Sequence, residues 1–386
     1  MKNPRSRPSR VKRVTAATGV AAALGLGAAA VSMWAGPAAH RPSARSAAAQ
    51  LSAGSAAAPS SAGSAAVRSS AGPAAAPSPA GPAAAPPDSM EGFAAISGDG
   101  HGPTTGGAGG PTVTVTSLSQ LETEAASSGP EIIMVNGLFS GSGEVQVSSD
   151  KSIIGVGSGS GLTGIGLSME NVDNVIIQNM NISKVTAASG DGDAVHIQAS
   201  DHIWVDHNDL SSDMDHGKDF YDGLIDITHA GDFVSVSWNY IHDHFKVSLV
   251  GHSDSNGAED TGHLKVTYYD NYFQNFDSRT PSLRFGTGHV FNNYFVNGDT
   301  AVDSRMGAQM LVQNNVFSNV DHPIMTCCLS SEDGFVSQSG NDFGGGTNDI
   351  TQTGTFTSPP YSFTLEPTDT VVSTVTAGAG TGKTGD

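Results

Sequence analysis

Cysteine is almost absent from this chain of 386 residues, which contains only Cys327 and Cys328, and these two are neighbours. A framework of disulfide bridges is therefore excluded as the source of stability. The Cα atoms of adjacent residues lie about 3.8 Å apart, which is shorter than the usual separation across a disulfide. The sequence is equally compatible with a bridge between the two cysteines and with two free thiols.

Positive charge is also scarce. The chain has 18 Lys and Arg against 37 Asp and Glu, which gives a formal net charge of −19. Nine of the basic residues lie at or before Arg68, so that from Glu91 onward nine basic residues stand against 36 acidic ones. Such a surface repels nucleic acids and anionic membranes, and we expect neither as a partner. A polyanionic substrate would need positive charge concentrated at its binding site.

The sequence has no strongly hydrophobic run of membrane-spanning length. The apolar stretch from Val14 to Val31 consists mainly of Ala and Gly, and it follows a cluster of basic residues between Arg5 and Arg13. This order is typical of a secretory signal peptide, which we place at residues 1–35 and favour over a single membrane anchor. We therefore expect a secreted protein with no stable membrane insertion once the signal is cleaved.

Large apolar side chains are nearly missing from the next segment, residues 36–90. Ala, Pro, Ser and Gly dominate it, and they bury too little surface to offset the chain entropy lost on folding. We expect a disordered linker here, a folded domain at residues 91–376, and a flexible tail rich in Gly and Thr at residues 377–386.

Amphipathic helices are rare in the folded domain. One short helix is predicted after Ser117, which forms a capping-box pattern with Gln120, and we expect it to cover one end of the core. Short β-branched runs separated by Gly, Asn, Asp and Ser then predict an all-β fold. These runs are residues 131–135, 152–154, 174–177, 202–205, 233–236, 264–267, 289–290 and 310–312.

An Asn followed two residues later by a large apolar residue recurs along the domain. The copies at Asn271, Asn293 and Asn315 are 22 residues apart, and longer steps separate Asn208, Asn239 and Asn271. Periods of about 20 residues with short strands are typical of a solenoid, in which stacked Asn side chains hydrogen-bond from coil to coil. The longer steps indicate inserted loops on one face. A β-sandwich is the alternative, but it would show closer strand spacing and no Asn register.

Several short motifs follow one another along the folded domain. They are Gly92-Phe93-Ala94, Thr104-Thr105-Gly106-Gly107, Ser152-Ile153-Ile154-Gly155-Val156-Gly157, Asn174-Val175-Ile176-Ile177-Gln178-Asn179, Trp204-Val205-Asp206-His207 and Arg279-Thr280-Pro281-Ser282-Leu283-Arg284. These motifs, in the same order, resemble those of the family 1 pectate lyases. The resemblance covers about residues 91–363 and implies a right-handed parallel β-helix, in agreement with the predicted solenoid. Trp204 and His207 belong to one of the motifs, and we assign both to structure rather than catalysis.

Four acidic residues form two pairs. Asp191 and Asp193 are spaced i, i+2, and Asp222 and Asp226 are spaced i, i+4, so that on strands each pair projects from one face. Crowded carboxylates suit Ca²⁺, a hard cation that binds oxygen ligands in irregular sets. The resemblance places the family's calcium ligands at these positions. Solvated turns are the alternative in so acidic a chain.

Three of the scarce basic residues fall where the resemblance places the family's cleft residues. Lys246 and Arg284 are expected to bind carboxylates of the sugar. Arg279 is expected to remove the C5 proton of galacturonate, since nearby Ca²⁺, Lys246 and Arg284 disfavour its charged form. The resemblance thus implies calcium-dependent β-elimination of (1→4)-α-D-galacturonan, the backbone of polygalacturonate and pectin, to 4,5-unsaturated oligogalacturonates.

Three other functions remain open at this point. A pectin lyase would share the fold without needing calcium, and a polygalacturonase-type hydrolase would use the carboxylates directly on the glycosidic bond. A β-helix that only binds carbohydrate would not need Arg279. The His242/His244 and His252/His263 groups lack the compact spacing of zinc motifs, so we do not expect a transition metal. We expect the protein to act as a monomer.

Overall fold

The computed structural model describes residues 90–384. The predicted signal peptide and all of the predicted linker before residue 90 lie outside the described residues, as do residues 385 and 386. Within residues 90–384, no helix combines the length and the apolar character needed to cross a membrane.

Short β-strands are the main regular structure of the described chain. The helices are α1 (Leu118–Ala125), α2 (Gly257–Asp260) and α3 (Thr368–Gly378), and a 3₁₀ turn spans Phe93–Ala95. The strands, in chain order, are β1 (Thr112–Val115), β2 (Glu131–Val135), β3 (Leu138–Gln146), β4 (Lys151–Gly155), β5 (Gly161–Glu170), β6 (Asp173–Gln178), β7 (Asn181–Ser183), β8 (Val195–Gln198), β9 (Asp201–Asp206), β10 (Asp209–Ser211), β11 (Ile225–Thr228), β12 (Asp232–Ser237), β13 (Tyr240–Lys246), β14 (Leu249–Val250), β15 (Lys265–Tyr269), β16 (Tyr272–Ser278), β17 (Ser282–Arg284), β18 (Thr287–Phe291), β19 (Tyr294–Arg305), β20 (Gln309–Gln313), β21 (Val316–Met325) and β22 (Phe335–Ser339).

These strands pair in parallel and form two sheets. One sheet has ten strands in the order β1-β2-β4-β6-β9-β12-β15-β18-β20-β22. The other has twelve strands and bends, because β5 pairs with both β7 and β8, and β19 pairs with both β16 and β17. Each coil therefore presents three faces. The predicted all-β, right-handed parallel β-helix is confirmed.

A ladder of Asn side chains runs from coil to coil, at the bend where each coil passes from one sheet into the other. The amide nitrogen of Asn208 donates to the amide oxygen of Asn239 at 2.9 Å, and the same bond joins Asn239 to Asn271 at 3.0 Å. The series continues through Asn293 and Asn315 to Asn341 at the same 3.0 Å spacing. The predicted ladder is confirmed, and Asn341 extends it by one coil.

The residue before each ladder Asn has a left-handed backbone conformation, as in His207 (φ 51°) and Trp238 (φ 53°). One such residue turns the chain sharply from one sheet into the next. The apolar residue two places after the Asn then faces the interior, and Leu210, Phe273 and Phe295 are fully buried. The repeat in the sequence thus encodes the turn and the core residue that follows it.

The predicted β-branched runs all overlap strands of the ten-stranded sheet. The strands of a third face, β8, β11, β14 and β17, were not predicted from their own sequences. These strands have two to four residues each and carry Asp, His, Ser and Arg among their apolar residues. Their apolar signal is therefore weak, and this is the face that carries the candidate site.

Helices cover parts of the coil stack. The N-cap Ser117 accepts a hydrogen bond from the Gln120 backbone, and α1 buries Leu121 and Ala125, as predicted. In α3, Val371 and Val375 are buried. The flexible tail was expected from residue 377, whereas in the structure α3 runs to Gly378, and the Gly382 N–H donates to Asn179 at 2.7 Å.

Candidate active site

The predicted site residues lie along the third face of the helix. Asp193 lies two residues before the start of β8, and Asp226 lies in β11, which pairs with β8 in parallel. β14 and β17 follow in the same ladder, and β17 ends at Arg284. The parallel stacking of coils therefore brings together residues that are far apart in the sequence.

Two buried carboxylates, those of Asp193 and Asp226, converge on Gly223. A Cβ atom added at Gly223 would lie 2.4 Å from Asp226 Oδ1 and 2.7 Å from Asp193 Oδ1. The Gly223 N–H donates to Asp193 Oδ1 at 2.8 Å, and the Leu249 N–H donates to Asp226 Oδ1 at 3.0 Å. The absence of a side chain at residue 223 thus leaves room for both carboxylates.

Burial shapes the protonation of this pair. Desolvation raises the pKa of Asp226 well above its ordinary value, and the charges of Asp193 and Asp222 raise it further, while the charge of Arg279 lowers it. Desolvation also raises the pKa of Asp193, against the hydrogen bond from His196. Two buried carboxylates in one place are costly as anions unless a cation accompanies them.

Asp222 is held by a lysine. Lys246 Nζ lies 2.8 Å from Asp222 Oδ1 and 3.1 Å from Asp219 Oδ1, and the lysine is only 8% exposed. His244 Nε2 donates to the Asp222 carbonyl at 3.0 Å, and burial lowers the pKa of His244 to about 4. Lys246, predicted to bind substrate, therefore neutralises a predicted calcium ligand in this structure.

Asp191 groups with other acids. Its carboxylate oxygen lies within 4.8 Å of oxygens of Glu144 and Glu170, and its N–H donates to Glu144 at 3.0 Å. Within residues 90–384, no three of the four predicted calcium ligands bring their oxygens within 4.8 Å of one another. The structure thus pairs Asp193 with Asp226, ties Asp222 to Lys246, and leaves Asp191 at the edge.

His196 links the edge to the buried pair. Its Nδ1 lies 2.8 Å from Asp193 Oδ2, and its Nε2 lies 3.5 Å from Asp191 Oδ2. Burial lowers the pKa of His196, but the hydrogen bond to Asp193 and the charges of Asp193, Asp191 and Asp226 raise it overall, to about 9. The imidazolium therefore supplies positive charge to carboxylates that would otherwise repel each other.

Three arginines cluster beside these acids. Arg279 is half-buried, and its side chain makes no hydrogen bond or ion pair with another described residue. Arg284 lies opposite Arg305 in the pairing of β17 with β19. Burial and the charges of Arg284 and Arg279 lower the pKa of Arg305 against the opposing charge of Asp303, to about 10 overall.

A cleft of about 230 Å³ opens at this cluster. Arg279, Arg305 and Lys218 supply its positive charge, Asp277, Asp299 and Asp303 its negative charge, and Ser278, Ser282, Thr300 and Leu329 the rest of its lining. A larger depression of about 470 Å³ lies beside Asp213, Asp215 and Asp243, and it has no basic residue in its lining. The smaller cleft is therefore the better candidate for an anionic ligand.

Sequence reasoning missed His196 and Arg305. His196 stands three residues after Asp193, but its role depends on a side-chain direction that spacing does not fix. Arg305 could have been found by adding one coil to Arg284, since the two residues are 21 positions apart and the coils here repeat about every 22. The periodicity was applied to the Asn ladder but not to the cleft.

A surface cleft of arginines beside buried carboxylates suits an anionic ligand, whereas the β-helix fold alone does not define a function. The family model described as "Pectate lyase" matches residues 82–384. The chain belongs to the pectate lyase family and is a lyase that acts on polysaccharides.

Curated relatives and solved structures agree with this assignment. A probable pectate lyase A from Aspergillus fumigatus is 47% identical over 265 residues, 68% of this chain and 80% of the relative. A pectate lyase B from Colletotrichum gloeosporioides is 48% identical over 278 residues, 72% of this chain and 83% of the relative. The structure of a Bacillus sp. N165 pectate lyase in complex with trigalacturonate has a TM-score of 0.70 and 32% identity, and the match covers 76% of this chain and 99% of that one.

Proposed function

We propose that the protein is a secreted, calcium-dependent pectate lyase that cleaves (1→4)-α-D-galacturonan by β-elimination. The observation that carries this proposal is the placement of a free arginine, Arg279, close enough to the buried Asp193 and Asp226 pair for its charge to act on Asp226. The relative solved with trigalacturonate supports polygalacturonate as the substrate. Secretion and a monomeric state are part of the proposal.

Asp193 and Asp226, with Asp222 beside Lys246 and Asp191 at the edge, are the residues that would hold calcium. Their donor set fits the ion, because it consists of carboxylate oxygens, and the buried oxygens of Asp193 and Asp226 converge beside Gly223. When bound, calcium neutralises the C6 carboxylate of galacturonate and makes the C5 hydrogen more acidic.

Arg279 is the proposed base. A neutral guanidine at this position accepts the C5 proton, the electron pair forms the C4–C5 double bond, and the C4–O bond breaks. The departing oxygen takes a proton from water. Arg284 and Lys246 hold sugar carboxylates, so that the reacting bond stays against Arg279. A guanidinium must lose a proton before it can act as a base, so the proposal predicts higher activity at alkaline pH.

A single assay tests this proposal. Wild-type protein is mixed with polygalacturonate, and the ultraviolet absorbance of the unsaturated product is followed with calcium and with EGTA. We expect product with calcium only, and a rate at least about 10²-fold lower in Arg279→Lys, since a general base contributes about 10² to 10⁴ in rate.

Three results would contradict the proposal in different ways. New reducing ends without absorbance would indicate a hydrolase, and activity that persists in EGTA would indicate a pectin lyase. Full activity in Arg279→Lys would exclude Arg279 as the base. Circular dichroism of the variant serves as the folding control.

A further inference from the structure

The loop between β21 and β22 begins with a disulfide between the adjacent residues Cys327 and Cys328. Of the two alternatives that the sequence left open, the structure thus contains the bridge. Cys328 is exposed and has a left-handed backbone, with φ 78°. The next residue, Leu329, is 48% exposed and lines the cleft that contains Arg279. The bridge therefore stands at the edge of the candidate active site.

The same loop donates hydrogen bonds to the carboxylate of Asp254, which also binds Arg284. Ser330 Oγ donates to Asp254 Oδ1 at 2.8 Å, and the Ser331 N–H donates to Asp254 Oδ2 at 3.0 Å. Arg284 Nε donates to Asp254 Oδ1 at 2.6 Å, and Arg284 Nη1 donates to the Gly251 carbonyl at 2.7 Å. Asp254 is thus a link between the bridged loop and the guanidinium of Arg284.

A second contact joins the loop to the arginine cluster. The Leu329 carbonyl accepts a hydrogen bond from Arg305 Nη1 at 3.4 Å. Arg305 lies in register with Arg284 on the neighbouring coil. The segment from Leu329 to Ser331 therefore contacts Arg305 directly and Arg284 through Asp254.

We propose that Asp254 and the bridged loop 327–331 together form a positioning element for Arg284, so that opening the bridge weakens the binding of polygalacturonate. The inference rests on the proposed function, because it assumes that Arg284 binds a sugar carboxylate. Closing a ring through adjacent cysteines restricts the backbone and lowers the entropy cost of holding the loop in one place.

The charge of Asp254 agrees with this role. Burial raises the pKa of Asp254, but hydrogen bonds from Arg284, Ser331 and Ser330 lower it overall, to about 2. The carboxylate is therefore ionised throughout the range in which the enzyme would be assayed. An ionised partner orients a guanidinium more firmly than a neutral one, because charge-assisted hydrogen bonds are about twice as strong.

Chemical reduction of the protein changes only the bridge in this loop. Dithiothreitol supplies two electrons and two protons, which convert the Cys327–Cys328 bridge to two thiols, and is itself oxidised to a cyclic disulfide. The chain has no other cysteine, so no second bridge is affected. The folded full-length protein is used, and a count of free thiols confirms the reduction.

The experiment compares kcat and KM of oxidised and reduced protein on polygalacturonate with calcium. We expect reduction to raise KM about fivefold, the equivalent of about 1 kcal/mol in binding, with kcat changed less than about twofold. Asp254→Asn should raise KM to a similar extent, and reduction should then have little further effect, because the link is already broken. Asp321→Asn removes the same charge from an exposed carboxylate outside the cleft and serves as the matched control.

Two results would overturn the positioning role. One is a KM that does not respond when both thiols are free. The other is that reduction lowers kcat and the melting temperature, and does so equally in the wild type and in Asp254→Asn. That result would indicate a general loss of structure. If the oxidised wild-type protein forms no unsaturated product at all, the proposed function fails first.

Discussion

At the scale of single residues, Gly223 allows the two buried carboxylates of the proposed calcium site to lie close together. Asp193 Oδ1 and Asp226 Oδ1 occupy the space that a Cβ atom at Gly223 would need. Gly223 does not have a positive φ, so its backbone tolerates alanine. A methyl group at this position would therefore displace the carboxylates without straining the backbone.

The first prediction is that Gly223→Ala separates the two carboxylates and weakens calcium binding. We expect the calcium concentration for half-maximal activity to rise at least about tenfold, which corresponds to about 1.4 kcal/mol. The rise in melting temperature on adding calcium should shrink in parallel, because binding to the folded state stabilises it. Titration of activity and of melting temperature against free calcium measures both effects.

Gly217→Ala is the matched control for this substitution. Gly217 also lacks a positive φ, and a Cβ atom there would meet nothing within 4 Å. Its calcium dependence should equal that of the wild type. A normal calcium response in Gly223→Ala would remove the assignment of calcium to Asp193 and Asp226.

The individual residues of the site were predictable only in part. The motif around Arg279 predicted Arg279 and Arg284, and the acidic pairs predicted Asp193 and Asp226, because both signals are local in the sequence. Neither the loop that holds Asp254 nor the imidazole between Asp191 and Asp193 has such a signal. These contacts depend on where an inserted loop folds back and which way a side chain points.

At the scale of structural elements, the Asn ladder fixes the register of successive coils. Asn271 is fully buried and takes part in four hydrogen bonds through its side chain, to both neighbouring ladder residues and to the Val236 carbonyl. Removal of the Asn271 amide would leave the partners of these bonds unpaired in the core.

The second prediction is that Asn271→Ala lowers the free energy of unfolding by about 3 kcal/mol. Unsatisfied buried groups cost about 1 to 3 kcal/mol each, and neighbouring coils can relax to recover part of this cost. Guanidinium denaturation followed by circular dichroism measures the change, with an unchanged slope indicating the same unfolding transition.

Gln146→Ala provides the comparison on the outer surface. Its amide donates to Glu144 at 2.8 Å, but this pair is exposed to solvent. Water replaces the lost bond, so we expect a change within about 0.5 kcal/mol. Equal destabilisation by the two substitutions would mean that the buried ladder contributes no more than a surface contact.

The repeat explains why the elements were more predictable than the site. Each repeat unit consists of a left-handed residue, the Asn that follows it and an apolar residue two places after the Asn. Every copy of this local unit indicates the same turn. The strands of the third face carry no such unit. Their position follows from the coil geometry. They could therefore be predicted from the length of the repeat, but not from their own amino-acid composition.

At the scale of the whole molecule, charge opposes the proposed substrate. The chain carries a formal net charge of −19, and polygalacturonate is itself a polyanion. The positive charge that favours binding is concentrated at the cleft, which Arg279, Arg305 and Lys218 line, and Arg284 lies opposite Arg305 on the neighbouring coil. Approach over long distances is therefore repulsive, while contact at short range is attractive.

The last prediction follows from this difference in range. Salt screens distant charges more than partly buried neighbouring ones, and the screening length falls from about 30 Å at 0.01 M to about 8 Å at 0.15 M. Raising sodium chloride over this interval, at constant free calcium, should increase kcat/KM on polygalacturonate by about two- to fivefold. A short oligogalacturonate carries fewer charges, so its kcat/KM should change less. A steady fall of kcat/KM with salt for both substrates would instead mean that the arginine cleft dominates the field at a distance, and that the acidic remainder of the surface does not impede association.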